Sequence, residues 1–182
     1  MNEISCKFPI IETDRLILRE LKTTDINDLF EILSSESVTK YYGKYPMENL
    51  SEAEDLILKF HKAFYEQKSI RWGIELKEPN RIIGTCGFHC WNKNHFRAEV
   101  GYELGEAFWN KGYATEAISS ILIYGFEFMD LKRIEAIVYP ENNPSEKLLL
   151  NLGFEHEGLL KKYANFRDRQ QDLNIFAILK SN

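Results

Sequence analysis

Hydrophobic positions change period several times along the chain, and each change marks an element. An apolar-rich extended stretch covers residues 12–21, and Thr23-Thr24-Asp25 then supplies helix-starting residues ahead of Ile26, Leu29, Phe30 and Leu33. Residues 34–45 are polar and tyrosine-bearing and stop at Pro46, which predicts a short turn of helix and then loop. Ser51 with Glu54 reads as a capping box opening a second helix, whose apolar stripe is Leu56, Ile57, Phe60, Ala63 and Phe64. Three strands follow at residues 71–76, 82–89 and 97–104, an antiparallel meander with a turn at Pro79-Asn80. A longer helix carries Ala114, Ala117, Ile118, Ile121, Leu122, Gly125 and Phe128 on one face. Residues 134–138 form a buried strand, 143–152 a short helix, and 154–163 and 172–179 two last strands. Strands and helices mix without strict alternation, which predicts an α+β fold: a mixed, mostly antiparallel sheet with helices on both faces.

No repeat, low-complexity segment or long linker interrupts the 182 residues, so residues 1–182 are expected to form one domain that buries ~70% of its unfolded surface. A hydrophobic fraction of 44% beside 28% charged residues fits a soluble, cytoplasmic globular protein. No apolar run approaches the roughly 20 residues that span a bilayer, and residues 1–8 carry Glu3 and lack the apolar core of a signal peptide. Net charge is −5, from 28 acidic and 23 basic residues, which argues against a general nucleic-acid binder and suits a cationic substrate. The cysteines, Cys6, Cys86 and Cys90, are odd in number; Cys86 and Cys90 are expected on one strand face, too far apart to bond, as reduced thiols. His61, His89, His95 and His156 are scattered, with no metal constellation visible. Exposed members among 12 Phe, 9 Tyr and 3 Trp leave room for a homo-oligomer.

The run Trp109-Asn110-Lys111-Gly112-Tyr113-Ala114-Thr115-Glu116-Ala117 links the third meander strand to the long helix. A helix N-terminus presents unpaired amides and a partial positive charge, and small residues there let a phosphate group approach the backbone. A glycine between strand and helix is common in many proteins. What sharpens the reading is the order of the segments after it: Arg133 to Val138, then Asn142-Asn143-Pro144-Ser145, then Leu152-Gly153-Phe154.

Together these segments resemble the GNAT superfamily of acetyl-coenzyme A-dependent N-acetyltransferases. Its pyrophosphate motif, Gln/Arg-x-x-Gly-x-Gly/Ala, is met by Gly112 and Ala114, with Trp109 where Gln or Arg is commoner. That substitution, and the opening Thr13-Asp14-Arg15-Leu16-Ile17-Leu18-Arg19, is similar to the ribosomal-protein N-terminal acetyltransferase branch. The resemblance spans about residues 10 to 180. It implies a V-shaped cofactor cleft between the third meander strand and the strand at 134–138. Main-chain groups near Leu104 would meet the pantetheine arm, the amides of Asn110, Lys111, Gly112, Tyr113, Ala114 and Thr115 the pyrophosphate, and Asn142 the cofactor by a hydrogen bond. Lys111 could add charge, or simply be solvated; Trp109 could equally anchor the turn in the core.

Read alone, Asn-Asn-Pro-Ser is ordinary helix-start chemistry, with Asn143 as the cap, Pro144 first in the helix and the Asn142 side chain left free. Beside the Gly112 turn, Ser145 becomes the candidate to protonate the departing thiolate, with Tyr139 or Tyr163 as alternatives. Direct attack needs a neutral amine and hence a base. Glu99 is the first choice, with Glu103 or His89 as alternatives, and Glu103 could instead bind a cationic substrate. The expected function is acetyl transfer from acetyl-coenzyme A, as co-substrate and without a metal, to a primary amine. That amine could be a protein N-terminus such as a ribosomal protein's, or a small amine such as a polyamine or antibiotic. A non-catalytic acyl-coenzyme A sensor is the rival class.

Overall fold

A computed structural model describes residues 7–180; Cys6 and most of the N-terminal segment lie outside them. Eight strands form one sheet: β1 (Ile11–Glu12), β2 (Leu16–Arg19), β3 (Ile70–Leu76), β4 (Arg81–Asn92), β5 (Arg97–Leu104), β6 (Arg133–Val138), β7 (Glu155–Phe166) and β8 (Arg169–Leu179). Their spatial order is β1-β2-β3-β4-β5-β6-β8-β7. Every neighbouring pair is antiparallel except β5 with β6. The mixed sheet expected from the sequence is therefore present.

The helices are α1 (Ile26–Leu33), α2 (Glu36–Thr39), α3 (Leu50–Tyr65), α4 (Tyr113–Glu127) and α5 (Asn143–Asn151). Two apolar clusters show which face each covers. Leu29 and Leu33 of α1 pack with Ala53, Leu56 and Ile57 of α3 over Ile82. On the opposite face Ile118, Ile121 and Leu122 of α4, with Leu149 of α5, join Trp72, Phe88, Val100 and Ile134. Burying each such side chain contributes about 1.5–3 kcal/mol. A Cβ on Gly125 would stand 2.9 Å from the Phe88 ring, so the bare glycine lets α4 settle on the sheet.

Boundaries differ from the sequence reading where side chains compete for the backbone. The stretch at 12–21 is two strands, because the Thr13 hydroxyl and amide both bond the Leu16 carbonyl and fold the chain into a tight turn. The cap of α3 is Asn49, whose Oδ1 accepts from the Glu52 amide, while Glu52 accepts from the amide of Glu48; the Ser51/Glu54 box was two residues late. Phe128 lies past the end of α4 and is exposed. Cys86 is buried and Cys90 exposed, because β4 shifts register between His89 and Asn92 and Cys90 turns left-handed (φ +50°), breaking the expected shared face.

Candidate active site

β5 and β6 stay together for only three residue pairs, Arg97 with Arg133, Ala98 with Ile134 and Glu99 with Glu135. Beyond them β5 follows β4 as far as Leu104, while β6 follows β8 to Val138. Each strand keeps its outer partner and loses its inner one, which opens a V. The Gly105 amide bonds the Ile83 carbonyl. Antiparallel alternation then points the main-chain groups of Val100, Tyr102 and Leu104 away from β4 and into the fork. The Leu104 carbonyl is already taken by the Trp109 indole at 2.8 Å. The groups that face the fork for an extended ligand are thus the main chain of Val100 and Tyr102 and the amide of Leu104. A cavity of about 410 Å³ occupies the fork, bounded by Glu99 to Glu103 on one side and Ala136 to Tyr139 on the other.

At the far end of β5 the chain turns into α4 through two left-handed residues, Asn110 (φ +59°) and Gly112 (φ +81°). Glycine tolerates that conformation without strain, and a Cβ there would also stand 3.3 Å from Arg15 Nη2. Glu116 makes the first helical bond, to the Gly112 carbonyl. Among the described residues the amides of Asn110 to Thr115 have no partner, and Asn110, Lys111, Gly112 and Thr115 are exposed. Unpaired amides at a helix start can receive an anion. Trp109 does anchor the turn, through its indole, while remaining 39% exposed. Lys111 is exposed, its ammonium 5.9 Å from the Phe108 ring.

Arg15 is the residue that sequence reading missed here. Its Nη1 donates to the Lys111 carbonyl at 2.9 Å, its Nε to Glu116 at 2.7 Å, and its guanidinium lies 4.4 Å from the centre of the Tyr113 ring. Glu116 also accepts from the Thr13 hydroxyl and the Arg15 amide. Burial alone would raise the Glu116 carboxyl, but these donors outweigh it and hold it below the usual range.

Across the fork, α5 is capped by Asn142, one residue earlier than expected: its Oδ1 accepts from the Ser145 amide at 3.4 Å. Its side chain is therefore half engaged, with the amide nitrogen left for a ligand. Ser145 is 9% exposed and lines the cavity. Tyr102 donates its hydroxyl to Ser145 Oγ at 3.2 Å. Burial pushes the Tyr102 phenol up, and the Ser145 contact offsets part of that. Tyr139 lines the cavity against Tyr41, whereas Tyr163 is exposed on β7 and does not. No local pattern marks Tyr102, since its partner is 43 residues away.

Glu99, Gly101 and Glu103 share the other face by the period of the strand. Glu103 is buried, bonded by Arg71 Nη2 and by the Thr85 hydroxyl. Arg71 Nε reaches Thr85 Oγ1 at 2.6 Å and its Nη1 the Gly101 carbonyl at 2.9 Å. Both carboxylate oxygens of Glu103 are thereby engaged within the protein. Tyr42 stands close by, its phenol pushed up by burial and by the Glu103 charge. Glu99 is placed differently: it sits at the foot of the fork with His89 Nε2 at 3.0 Å, and both line the cavity. Glu99 and Ser145 thus approach one cavity from opposite faces of the sheet, with the Gly112 turn outside it beyond Leu104. Of the other histidines, His61 bonds the Leu21 carbonyl, His156 packs on Phe176 and His95 closes a turn. His89, however, lies with Cys90 and Glu99 in one cluster that the sequence did not reveal.

A fork in a mixed sheet with an unpaired helix start at its far end suits an extended, phosphate-bearing ligand such as an acyl-coenzyme A. Known proteins agree. Residues 15–155 match the acetyltransferase (GNAT) domain family. YoaA, an uncharacterized N-acetyltransferase of Bacillus subtilis, is 42% identical over 173 residues, covering 95% of this chain and 98% of its own. The [ribosomal protein uS5]-alanine N-acetyltransferase of Escherichia coli is 34% identical over 112 residues, 59% of this chain and 55% of its own. The structure of spermidine N-acetyltransferase from Vibrio cholerae with CoA and spermine superposes with a TM-score of 0.80 at 26% identity, covering 92% of this chain and 96% of that one. The chain belongs to the GNAT family of acetyltransferases and is an acetyl-coenzyme A-dependent N-acetyltransferase.

Proposed function

We propose that this N-acetyltransferase modifies the amino terminus of a polypeptide. The observation that carries this is the charge balance of the cavity. Its acids are Glu99, paired with His89, and Glu103, paired with Arg71; its bases include Lys44; its remaining walls are mostly uncharged, aromatic from Tyr41, Tyr42, Phe60 and Tyr139 and aliphatic from Ile118, Ile137, Val138 and Leu149. Such a lining receives one amine attached to a neutral body better than it receives a polycation. A second cavity of about 430 Å³ shares Tyr42 and Lys44 with the first, which suits a substrate that continues beyond its reacting end.

In this reading the amides of Asn110 to Thr115 hold the pyrophosphate of acetyl-coenzyme A, Val100 and Tyr102 pair with its pantetheine amides as an added strand would, and Asn142 donates to it. Glu99 takes a proton from the amine. The nitrogen attacks the thioester carbon directly, and the carbon–sulfur bond breaks as Ser145 protonates the leaving thiolate. Holding amine and thioester together supplies much of the acceleration.

A second reading has one observation in its favour. Glu48, Glu52 and Asp55 line the second cavity and suit the distal ammonium of a polyamine. The spermidine enzyme among the structural neighbours keeps this class open. The test is acetyl transfer to a panel of amino-terminal peptides, polyamines and aminoglycosides, with Ser145→Ala and Glu99→Gln alongside. Turnover confined to peptides, falling about 10²–10⁴-fold in either variant while coenzyme A binding persists, is the expected result. Turnover on polyamines alone replaces the first reading with the second. Tight cofactor binding with no turnover on any amine leaves the assignment of Ser145 and Glu99 without support.

A further inference from the structure

At the foot of the fork, His89, Cys90 and Glu99 present one imidazole nitrogen, one thiol sulfur and one carboxylate oxygen, all within 4.8 Å of one another. Neighbouring residues on a regular strand point to opposite faces, so His89 and Cys90 should not meet. They do because Cys90 is left-handed and β4 shifts register against β5 between His89 and Asn92. A non-glycine residue in that conformation costs of order 1–3 kcal/mol and persists only where its surroundings impose it. Arg97, a cation on the adjoining strand, is tied to Glu135 at 2.8 Å, which leaves Glu99 to His89.

We propose that His89, Cys90 and Glu99 form a binding site for a thiophilic divalent cation, Zn²⁺ in chemical class, whose occupancy silences acetyl transfer. Sulfur and nitrogen donors select Zn²⁺ over Mg²⁺ and Ca²⁺, which need oxygen shells. Around a tetrahedral zinc with bonds of about 2.0–2.3 Å, donor atoms stand about 3.5 Å apart. The three atoms are within rotamer adjustment of that spacing. Binding displaces the Cys90 thiol proton to solvent, forms a sulfur–metal bond and leaves a fourth position for water. The silencing rests on the reading of Glu99 as the base, since a carboxylate ligating a cation can no longer accept the amine proton. Cys90 does not line the cavity and has no role in the proposed acetyl transfer, so the site can be removed without touching that chemistry.

The test uses the full chain, stripped of metal with a chelator and titrated with Co²⁺ as a visible reporter. A thiolate-to-cobalt charge-transfer band saturating near one equivalent is expected, abolished in Cys90→Ser. Product formation, followed by mass to avoid thiol reagents, is expected to fall on adding Zn²⁺ and to return with chelator. Cys90→Ser is expected to keep its basal turnover and thermal midpoint, while the Zn²⁺ concentration for half-inhibition rises at least about tenfold. Absence of the band in the parent protein, or an unchanged titration in Cys90→Ser, overturns the site. A Cys90-dependent band with undiminished turnover supports the site and overturns the assignment of Glu99.

Discussion

Tyr102 and Ser145 come from opposite arms of the fork, and the phenol donates its hydrogen to the serine oxygen at 3.2 Å. A hydroxyl has one proton and two acceptor lone pairs. With a lone pair of Ser145 filled by Tyr102, its own proton is directed elsewhere, and the cavity is the open direction. On the proposed role of Ser145 as proton donor, Tyr102 acts as its positioning residue, and Tyr102→Phe is expected to lower kcat about tenfold while the acetyl-coenzyme A KM changes less than about twofold. Ser145→Ala is expected to cost more. The double variant should be no worse than Ser145→Ala alone, because the tyrosine acts only through the serine. Additive losses in that cycle, measured by initial rates, would show Tyr102 acting on its own account.

The turn proposed to hold the phosphates depends on a residue from the far edge of the sheet. Arg15 clasps the Lys111 carbonyl and Glu116 and covers Tyr113. Arg15→Ala leaves the unpaired amides in place but releases the loop that carries them. The expected outcome is a KM for acetyl-coenzyme A raised about tenfold with kcat nearly unchanged, the mark of a lost uniform binding contribution. A fall in kcat at constant KM would be incompatible with this role.

Gly112 tests the same turn from the other side. Alanine at φ +81° costs about 1 kcal/mol or more, and its methyl group would press on Arg15 Nη2. Gly112→Ala is expected to weaken coenzyme A binding at least about tenfold by calorimetry, with a thermal midpoint only a few degrees lower. Unchanged affinity would remove this turn from the cofactor site.

What the sequence showed, and what it hid, follows from the range of the interactions. The meander, the long helix and the Gly112 and Asn142 turns are local: they depend on period and on turn chemistry, and they lie close to where the pattern put them. Helix caps were displaced by one or two residues because Asn142 and Asn49 outcompete their neighbours for the free amides. Arg15 at Lys111, Tyr102 at Ser145 and Arg71 at Glu103 are separated by 96, 43 and 32 residues, and no local pattern encodes such pairings. The cluster of His89, Cys90 and Glu99 was hidden for another reason, a left-handed cysteine that reverses strand alternation.

Arg71 and Glu103 make a buried ion pair, their side chains 11% and 4% exposed, with Thr85 bonded to both. Removing one partner leaves an uncompensated charge in the interior, at a cost of about 3–5 kcal/mol. Glu103→Leu and Arg71→Met are each expected to lower stability by that amount in denaturant titrations. The double variant should recover part of the loss, since an apolar pair of similar volume needs no counter-charge. Single variants within about 1 kcal/mol of the parent would mean that solvent reaches the pair and that Glu103 is open to substrate after all.

Acid should reach Glu116 in a predictable direction. Burial alone would raise its carboxyl, but the Thr13 hydroxyl, the Arg15 amide and the Arg15 guanidinium favour the charged form more, and its folded pKa lies below the unfolded one. The folded state therefore binds fewer protons than the unfolded state between those two values. The stabilisation is fully present above the unfolded glutamate value, near 4.5, and drains away as pH falls through the lower folded value. Glu116→Gln loses the charge-assisted bonds at every pH and is expected to be about 1–2 kcal/mol less stable at pH 7. The gap between parent and variant should narrow steadily below about pH 4.5, where the parent protonates and the variant has nothing to titrate. Thermal midpoints of the two proteins across that range decide the matter: a gap that stays constant or widens as acid is added would mean that Glu116 gains no proton on unfolding, and that Arg15 clasps the turn without its help.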